Sequence, residues 1–304
     1  MKLYYHTGKN FGDAINPMIF NHYLGEYLND DTTEVILGIG SILGLFKKPE
    51  NCKKVYVFSS GYAKGAESTY GKVPQIDKDY EIICLRGEGT AKAINVSSEY
   101  GLADGALLLP LVWPLERKKL KTFKFSFMPH SGTLDVYEGW QKLCNSIGIH
   151  LIDPRKDPEL VLADLMDTEV LIAEAMHGAI IADAYRIPWI PVKTISTINE
   201  FKWADYCDSV ELPYQPFRTK ALYSGQFIQQ VFTNKFPKLS FLRGLASVVY
   251  GAYQVAVVKP SVKKQFKTIL KQKPILTTDK VFNKRQSQLV EKMAILKSRI
   301  KAES

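Results

Sequence analysis

One histidine of this chain stands at the junction between an apolar run and a helix, where its ring could do chemistry. His177 follows the predicted buried strand 170–173 and precedes small and apolar residues that recur at helical spacing up to Pro188. The carboxyl ends of parallel strands face the crevice where open α/β sheets bind ligands. A helix N-terminus there favours phosphate or carboxylate, so His177 is predicted to be a titratable group beside an anion site. A capping or packing role fits the same local pattern.

Three further side chains at predicted strand ends could serve the same site. Asp13 lies between the first strand and a helix, where it could cap the helix, accept a proton or bind a sugar hydroxyl. Arg86 ends a strand before a glycine loop, which suits bidentate binding of phosphate or carboxylate, or else a structural salt bridge. His130 ends the first strand of the second half. Both histidines are therefore expected to line one cleft, with Arg86 opposite.

The elements that must position these residues alternate along the chain. Predicted strands cover residues 2–6, 35–39, 54–59, 81–85, 106–109, 123–128, 150–152, 170–173, 189–192 and 209–212. Predicted helices begin near residues 15, 42, 90 and 157, and an apolar helix face covers 136–147. Glycine turns that include Gly40 and Gly61 follow two strands and allow backbone to approach a ligand closely. This alternation predicts parallel sheets built from βαβ units.

A linker at 110–124, with two prolines and the charged run 116–119, divides this pattern. The chain is therefore predicted to form two Rossmann-like domains, residues 1–115 and 120–235, that face a cleft. Residues 236–304 form a third segment, a basic helical extension. From residue 235 onward there are 16 Lys and Arg and three acidic residues, which gives this part a charge of +13. The rest of the chain carries −4, and the sum is the net charge of +9. Such a tail suits an anionic surface, lipid or nucleic acid, or is a solvated pair of helices without a partner.

Composition narrows the class of protein. With 46% hydrophobic and 23% charged residues the chain has the make-up of a globular protein. The four cysteines are widely spaced without a CxxC pair, and neither HxxxH nor HExxH occurs at the predicted cleft turns, so no metal site is predicted. No signal peptide and no uninterrupted apolar span are expected, which together with unpaired cysteines predicts a cytoplasmic protein.

Five segments in this order resemble the polysaccharide pyruvyl transferase family, particularly its succinoglycan ketolase-like branch. They occupy residues 10–17, 37–43, 85–90, 101–106 and 176–178, within a similarity over roughly 1–210. The resemblance implies a fold similar to glycosyltransferase type B, with phosphoenolpyruvate as donor substrate and no cofactor. It implies a pyruvate ketal on two hydroxyls of one sugar, in exopolysaccharide or capsule biosynthesis.

The resemblance also implies roles for individual residues. His177 matches the histidine of the second-domain motif and Arg86 the donor-binding arginine, whereas Ala175 stands where many members have another arginine, so Lys202, Arg186 or a helix N-terminus must supply the second anchor. The expected donor-site residues are Arg86, Gly40, Ser41, Gly178 and Lys202. The expected acceptor-site residues are Asn10, Asp13 and Gly61. A histidine titrating near neutrality would serve as acid and Asp13 or His130 as base, so the expected catalytic residues are His177, His130 and Asp13.

Two other functions compete with this one. A nucleotide-sugar-dependent glycosyltransferase of the same fold would also use glycine turns and Arg86, but no Glu-x7-Glu pattern occurs at 173–184 to hold a ribose. A binding module that uses only the basic tail would leave the cleft residues without a purpose. The expected partners are phosphoenolpyruvate, a sugar acceptor that is lipid-linked, and an anionic membrane surface reached through the tail at the inner face of the plasma membrane. Nucleic acid is not an expected partner of the enzyme.

Overall fold

The first sheet is built by the N-terminal part of the chain in a computed structural model that describes residues 1–116 and 120–303. Its four strands are parallel and lie in the order β1-β2-β3-β4. Most positions of β2 and β3 are buried on both faces, which explains their apolar runs. The strands are β1 Lys2–Tyr4, β2 Glu34–Leu37, β3 Lys54–Ser60 and β4 Tyr80–Leu85; the helices are α1 Phe11–Ala14, α2 Asn16–Leu24, α3 Glu67–Tyr70, α4 Glu88–Ala93 and α5 Leu109–Val112.

The second sheet is also parallel and has the order β6-β5-β7-β8-β9. Its central strands β5 and β7 pair from Phe123 opposite Thr168 to Met128 opposite Ala173. Both therefore end at the same edge of the sheet. The strands are β5 Phe123–Met128, β6 His150–Leu151, β7 Thr168–Ala173, β8 Trp189–Lys193 and β9 Phe217–Arg218; the helices are α6 Ser131–Val136, α7 Trp140–Asn145, α8 Pro158–Met166, α9 Met176–Ala184 and α10 Glu200–Ser209.

The C-terminal segment is helical, as predicted, and it packs against both sheets. It contains α11 Gly225–Lys235, a 3-10 turn Pro237–Leu242, α12 Arg243–Tyr253, a π-helical stretch Gln254–Val258, α13 Lys259–Ile269 and α14 Asp279–Glu303. α13 buries its apolar side chains in the core of the second sheet. α14 buries Leu289, Met293, Leu296 and Ile300 in the cluster that holds the helices and strands of the first sheet. The apolar face of the last helix is therefore a packed surface.

Three predicted elements are wrong. Residues 105–108 form a 3-10 helix instead of a strand, because the Asp104 carboxylate accepts a hydrogen bond from the Ala106 amide and starts a helical turn. Residues 209–212 end α10, and the fifth strand of the second sheet comes later, at Phe217–Arg218. The helix expected near residue 42 is a short turn. Of the predicted linker, residues 117–119 lie outside the described residues, and Leu109–Val112 is a short helix.

The mixed α/β class with two parallel sheets is confirmed. One buried cluster includes side chains next to both sheets, from Phe20 and Phe58 to Ile180 and Trp189. The two parts of the chain are thus packed on a shared core, and the loops at their strand ends meet.

Candidate functional site

A cavity of about 260 Å³ lies where the loops after β1, β5 and β7 meet. Residues from both parts of the chain line it. Seven of the residues predicted for the site are among them: Asn10, Asp13, Ser41, His130, His177, Gly178 and Lys202. Arg86, Gly40 and Gly61 are not part of its wall.

The first wall of the cavity is the loop and short helix that follow β1. Asn10 caps α1 by accepting a hydrogen bond from the Gly12 amide at 3.1 Å. Gly12 lies so close to His177 that an added Cβ would stand 1.9 Å from the imidazole Nδ1. Glycine at this position therefore allows the two parts of the chain to bring Asp13 and His177 into one cavity.

His130 follows β5 and caps α6, with its Nδ1 accepting a hydrogen bond from the Gly132 amide at 3.1 Å. This bond leaves the proton of the neutral ring on Nε2. Burial, with a contribution from Lys202, lowers the pKa of His130 to about 4. The loop is held by Glu174, a buried carboxylate that accepts from the His130 amide at 3.1 Å and from the Thr133 hydroxyl at 2.6 Å.

His177 is the second residue of α9 and is almost completely buried. Burial, reinforced by Lys202 and Arg86, lowers its pKa to about 3. Its Nε2 faces Oδ2 of Asp104 at 3.8 Å, and neither atom has a hydrogen-bond partner among the described residues. The prediction that these histidines titrate near neutrality is therefore wrong for the site without its substrates, where both rings are neutral.

A carboxyl group, instead of a histidine, titrates near neutrality here. Burial raises the pKa of Asp13 to about 6, although His6, Lys202 and Asn10 each lower it. Asp13 is 6% exposed and lines the cavity. About half of this carboxyl group is thus protonated at pH 6 and about a tenth at pH 7, and in that form it can supply a proton.

Positive charge and free amides also line the cavity. Lys202 in the first turn of α10 places its Nζ 3.1 Å from the Tyr70 hydroxyl and 4.4 Å from the centre of that ring. α9 begins at the cavity with Ala175 as its N-cap residue and no side-chain cap. Its first-turn amides are therefore available to an anion. Arg186, the other proposed anchor, instead binds Thr277 and Asp279.

Arg86 is fully buried behind the cavity. Its Nε donates to Asp205 of α10 at 2.9 Å, its Nη1 to the Ser41 hydroxyl at 2.8 Å and its Nη2 to the Tyr62 carbonyl at 2.9 Å. Asp205 also accepts from the Thr90 amide and hydroxyl. The salt bridge named as the alternative for this arginine is therefore present, and it joins the two parts of the chain.

Gly61 and Gly40, the two glycines predicted for the site that do not line the cavity, lie behind residues of its wall. A Cβ at Gly61 would lie 2.3 Å from the guanidinium carbon of Arg86, so glycine leaves room for the arginine. Gly40 has a φ of +123°, a conformation that favours glycine, and a Cβ there would contact Asp13 Oδ1 at 3.1 Å.

Several residues of the site did not emerge from the sequence. Sequence reasoning overlooked the lining residues His6, Lys9 and Tyr70, and the buried carboxylates Asp205 and Glu174. His6 and Lys9 could have been found, since they follow β1 directly as Asp13 does. Tyr70 and Asp205 carry no such signal because only the packing of the two parts brings them here. Within residues 1–116 and 120–303 no three His, Cys, Asp or Glu side chains are grouped to hold a metal ion.

Known proteins share this sequence pattern. The family model of polysaccharide pyruvyl transferase matches residues 20–196, more than half of the chain. The chain belongs to this family and is a transferase. It is also 32% identical over 222 residues to succinoglycan biosynthesis protein ExoV of Rhizobium meliloti (strain 1021), an alignment that covers 72% of this chain and 67% of that protein. No solved structure matches the chain. The family favours pyruvyl transfer in exopolysaccharide synthesis over the nucleotide-sugar alternative.

Proposed function

We propose that this protein transfers the enolpyruvyl group of phosphoenolpyruvate to two hydroxyls of one sugar, forming a pyruvate ketal and releasing phosphate. The observation that supports it best is the composition of one cavity: a protonatable carboxyl group, two neutral imidazoles, a lysine and an uncapped helix N-terminus. A volume of about 260 Å³ favours a small donor, because pockets for drug-sized ligands occupy about 300–1,000 Å³.

The donor carries a carboxylate and a phosphate, and both need fixed donors of hydrogen bonds. We place one of them at the first turn of α9, where the Gly178 and His177 amides lie, and the other at Lys202. Lys202 then takes the place of the arginine that many family members have where this chain has Ala175. Ser41 lines the same cavity and is held by Arg86, so we assign Arg86 the role of positioning the donor wall through Ser41.

The reaction needs one proton at the methylene carbon of the donor and loses one proton from each sugar hydroxyl. Asp13 in its protonated form supplies the first proton, which makes the next carbon electrophilic. One hydroxyl attacks that carbon and its proton restores Asp13. The carbon–oxygen bond to phosphate breaks, the second hydroxyl closes the ketal, and its proton leaves with phosphate. The proton count is thereby balanced without any further reactant.

The histidines change state when the donor binds. Negative charge placed beside His177 and His130 raises the pKa of each ring from its low resting value. Asp104 lies behind His177 and stabilises an imidazolium there, so His177 can carry the proton to the departing phosphate. His130, whose Nε2 holds the proton of the neutral ring, is the donor of a hydrogen bond to the same anion.

For the acceptor we propose the side of the cavity near Asn10 and Asp13, with Gly61 supporting it through Arg86. The two sheets are then the halves of a glycosyltransferase type B arrangement, residues 1–115 and 120–235, with the cavity between them. The acceptor is a lipid-linked oligosaccharide, and the enzyme works in the cytoplasm at the inner face of the plasma membrane.

Phosphate release from phosphoenolpyruvate tests this function. The purified protein is incubated without added metal, with and without synthetic and lipid-linked acceptors that contain galactose, glucose or mannosamine. Acceptor-dependent phosphate release and an acceptor mass increased by one pyruvate less one water are expected. Absence of release with every acceptor, together with calorimetric binding of a nucleotide sugar, would overturn the proposal.

A further inference from the structure

The helical hairpin formed by residues 225–258 exposes an unusual amount of apolar surface. Of the 18 large hydrophobic side chains exposed among the described residues, 11 lie in this stretch. Phe241 is 77% exposed, Val248 69% and Leu245 60%. Contiguous exposed apolar surface of this kind marks an interaction site.

Up to Tyr253 the hairpin packs on itself instead of on the sheets, and only its last residues, such as Val258, reach the core of the second sheet. α11, the 3-10 turn and α12 contain no buried residue, and α11 and α12 lie against each other. On α12 the residues Leu245, Val248, Val249 and Tyr253 recur at helical spacing, so they share one outward face. Three of these residues, Leu245, Val249 and Tyr253, also line an apolar groove, together with Phe232, Leu242, Ala246 and Tyr250.

The helix that follows the hairpin prevents this apolar surface from crossing the core of a bilayer. The helical stretch Pro237–Ile269 is long and apolar enough to cross a membrane, with 11% of its most apolar window buried. Its last part, however, is α13, whose Val262, Phe266 and Ile269 are buried in the core of the second sheet. Spanning a bilayer would strip α13 from that core, so the hairpin is suited to lie in an interface.

The positive charge of this region indicates that its partner is anionic. Residues 212–278 contain 11 Lys and Arg and no Asp or Glu. Lys235, Lys238 and Arg243 are exposed at the turn of the hairpin, beside Phe236 and Phe241. Two copies of this surface would repel each other, whereas an anionic lipid surface attracts it.

We propose that the hairpin, residues 225–258, seats the protein in the surface of an anionic bilayer, with Phe241, Leu245 and Val248 inserted among the lipids. The membrane contact is therefore made by the hairpin, whereas α14, with its basic residues, packs against the first sheet. The hairpin begins next to α6, where the Ser224 amide donates to the Val136 carbonyl at 2.7 Å. α6 spans six residues and starts at the cavity, so the start of the hairpin lies about 9 Å from His130 along that helix.

Vesicle flotation tests the seat without any acceptor or donor, so its outcome does not depend on the proposed reaction. We expect the full chain to bind vesicles of equal parts phosphatidylglycerol and phosphatidylcholine and to bind pure phosphatidylcholine much more weakly. The triple change Phe241→Asp, Leu245→Asp and Val248→Asp should abolish binding. Changing Lys235, Lys238 and Arg243 to Gln should weaken binding to anionic vesicles by about 100-fold.

Leu160→Asp is the matched control, because Leu160 is 55% exposed on α8 and lies outside the hairpin. It should bind like the unchanged chain. Thermal unfolding of all variants should agree, since the hairpin side chains are exposed. Vesicle binding retained by the apolar triple variant would overturn the proposal. So would light scattering that shows a stable dimer lost in that variant, with no binding of the unchanged chain to vesicles.

Discussion

His177 Nε2 and Asp104 Oδ2 face each other at 3.8 Å, buried and without hydrogen-bond partners among the described residues. Burial lowers the pKa of the ring to about 3 and raises that of the carboxyl to about 6. The ring is thereby kept neutral, whereas the carboxyl group loses its proton as the pH rises through 6. An anion entering the cavity reverses this for the histidine, because its negative charge favours the imidazolium. The pair is therefore arranged to respond to an anion in the cavity.

Replacing His177 with Ala should lower turnover by about 10²–10⁴-fold, because this is the usual contribution of a general acid or base. Phosphate release from phosphoenolpyruvate with a competent acceptor measures it. The fold should survive, since the ring is neutral and donates no bond that holds the core. His22→Ala, at an exposed position of α2, is the control and should be fully active. Near-normal turnover of purified His177→Ala would remove its proposed role.

Gly12→Ala should cost nearly as much activity as His177→Ala. The added methyl would stand 1.9 Å from Nδ1 of His177, so the ring must move away from the cavity. Overpacking of this kind costs about 1–3 kcal/mol, which leaves the protein folded. Gly251→Ala, in open space on α12, is the matched control. Full activity of Gly12→Ala would show that the position of the ring does not matter.

If protonated Asp13 supplies the proton, kcat/KM should fall about tenfold per pH unit above pH 6, where the free carboxyl ionises. The phosphate of the donor titrates in the same range, near a pKa of about 6. Asp13→Asn separates the two, because its residual activity should keep only the dependence due to the donor. An unchanged profile in Asp13→Asn would assign the acid to another group.

The same carboxyl group should destabilise the fold at neutral pH. Its folded pKa is raised from 3.8 to about 6, so its favourable contribution is present below pH 3.8 and is lost as the pH rises through 6. The free energy of unfolding of Asp13→Asn should therefore exceed that of the unchanged chain by up to about 3 kcal/mol at pH 7.5. Below pH 4 the two values should be equal. Urea unfolding at the two pH values measures it; equal stability at pH 7.5 would contradict the raised pKa.

Asp205→Ala should lower the free energy of unfolding by about 3–5 kcal/mol, because it leaves Arg86 buried without its counter-charge. The control is Asp135→Ala, which removes an exposed partner of Arg155 and should cost less than about 1 kcal/mol. Similar losses in the two variants would mean that the buried pair does not hold the two parts of the chain together.

The sequence predicted most of the strands that carry the site, because parallel strands buried on both faces leave apolar runs such as residues 123–128. It placed His130 and His177 in one cavity, since β5 and β7 end at the same edge of the second sheet, and it placed Asp13 after a strand of the first sheet that faces them. It did not reveal that Arg86 is turned away from the cavity, because Asp205 lies 119 positions further on and no local pattern links them. The low pKa values of the histidines were equally hidden, since burial depends on packing.

The return of α14 to the first sheet also governs how this protein can be made. Leu289, Met293, Leu296 and Ile300 complete a core whose other members include Ile19 and Phe20. During synthesis the apolar surface of the N-terminal part therefore stays uncovered until α14 has left the ribosome. Shortening the chain to remove its basic residues would leave that surface open for good, and aggregation would follow.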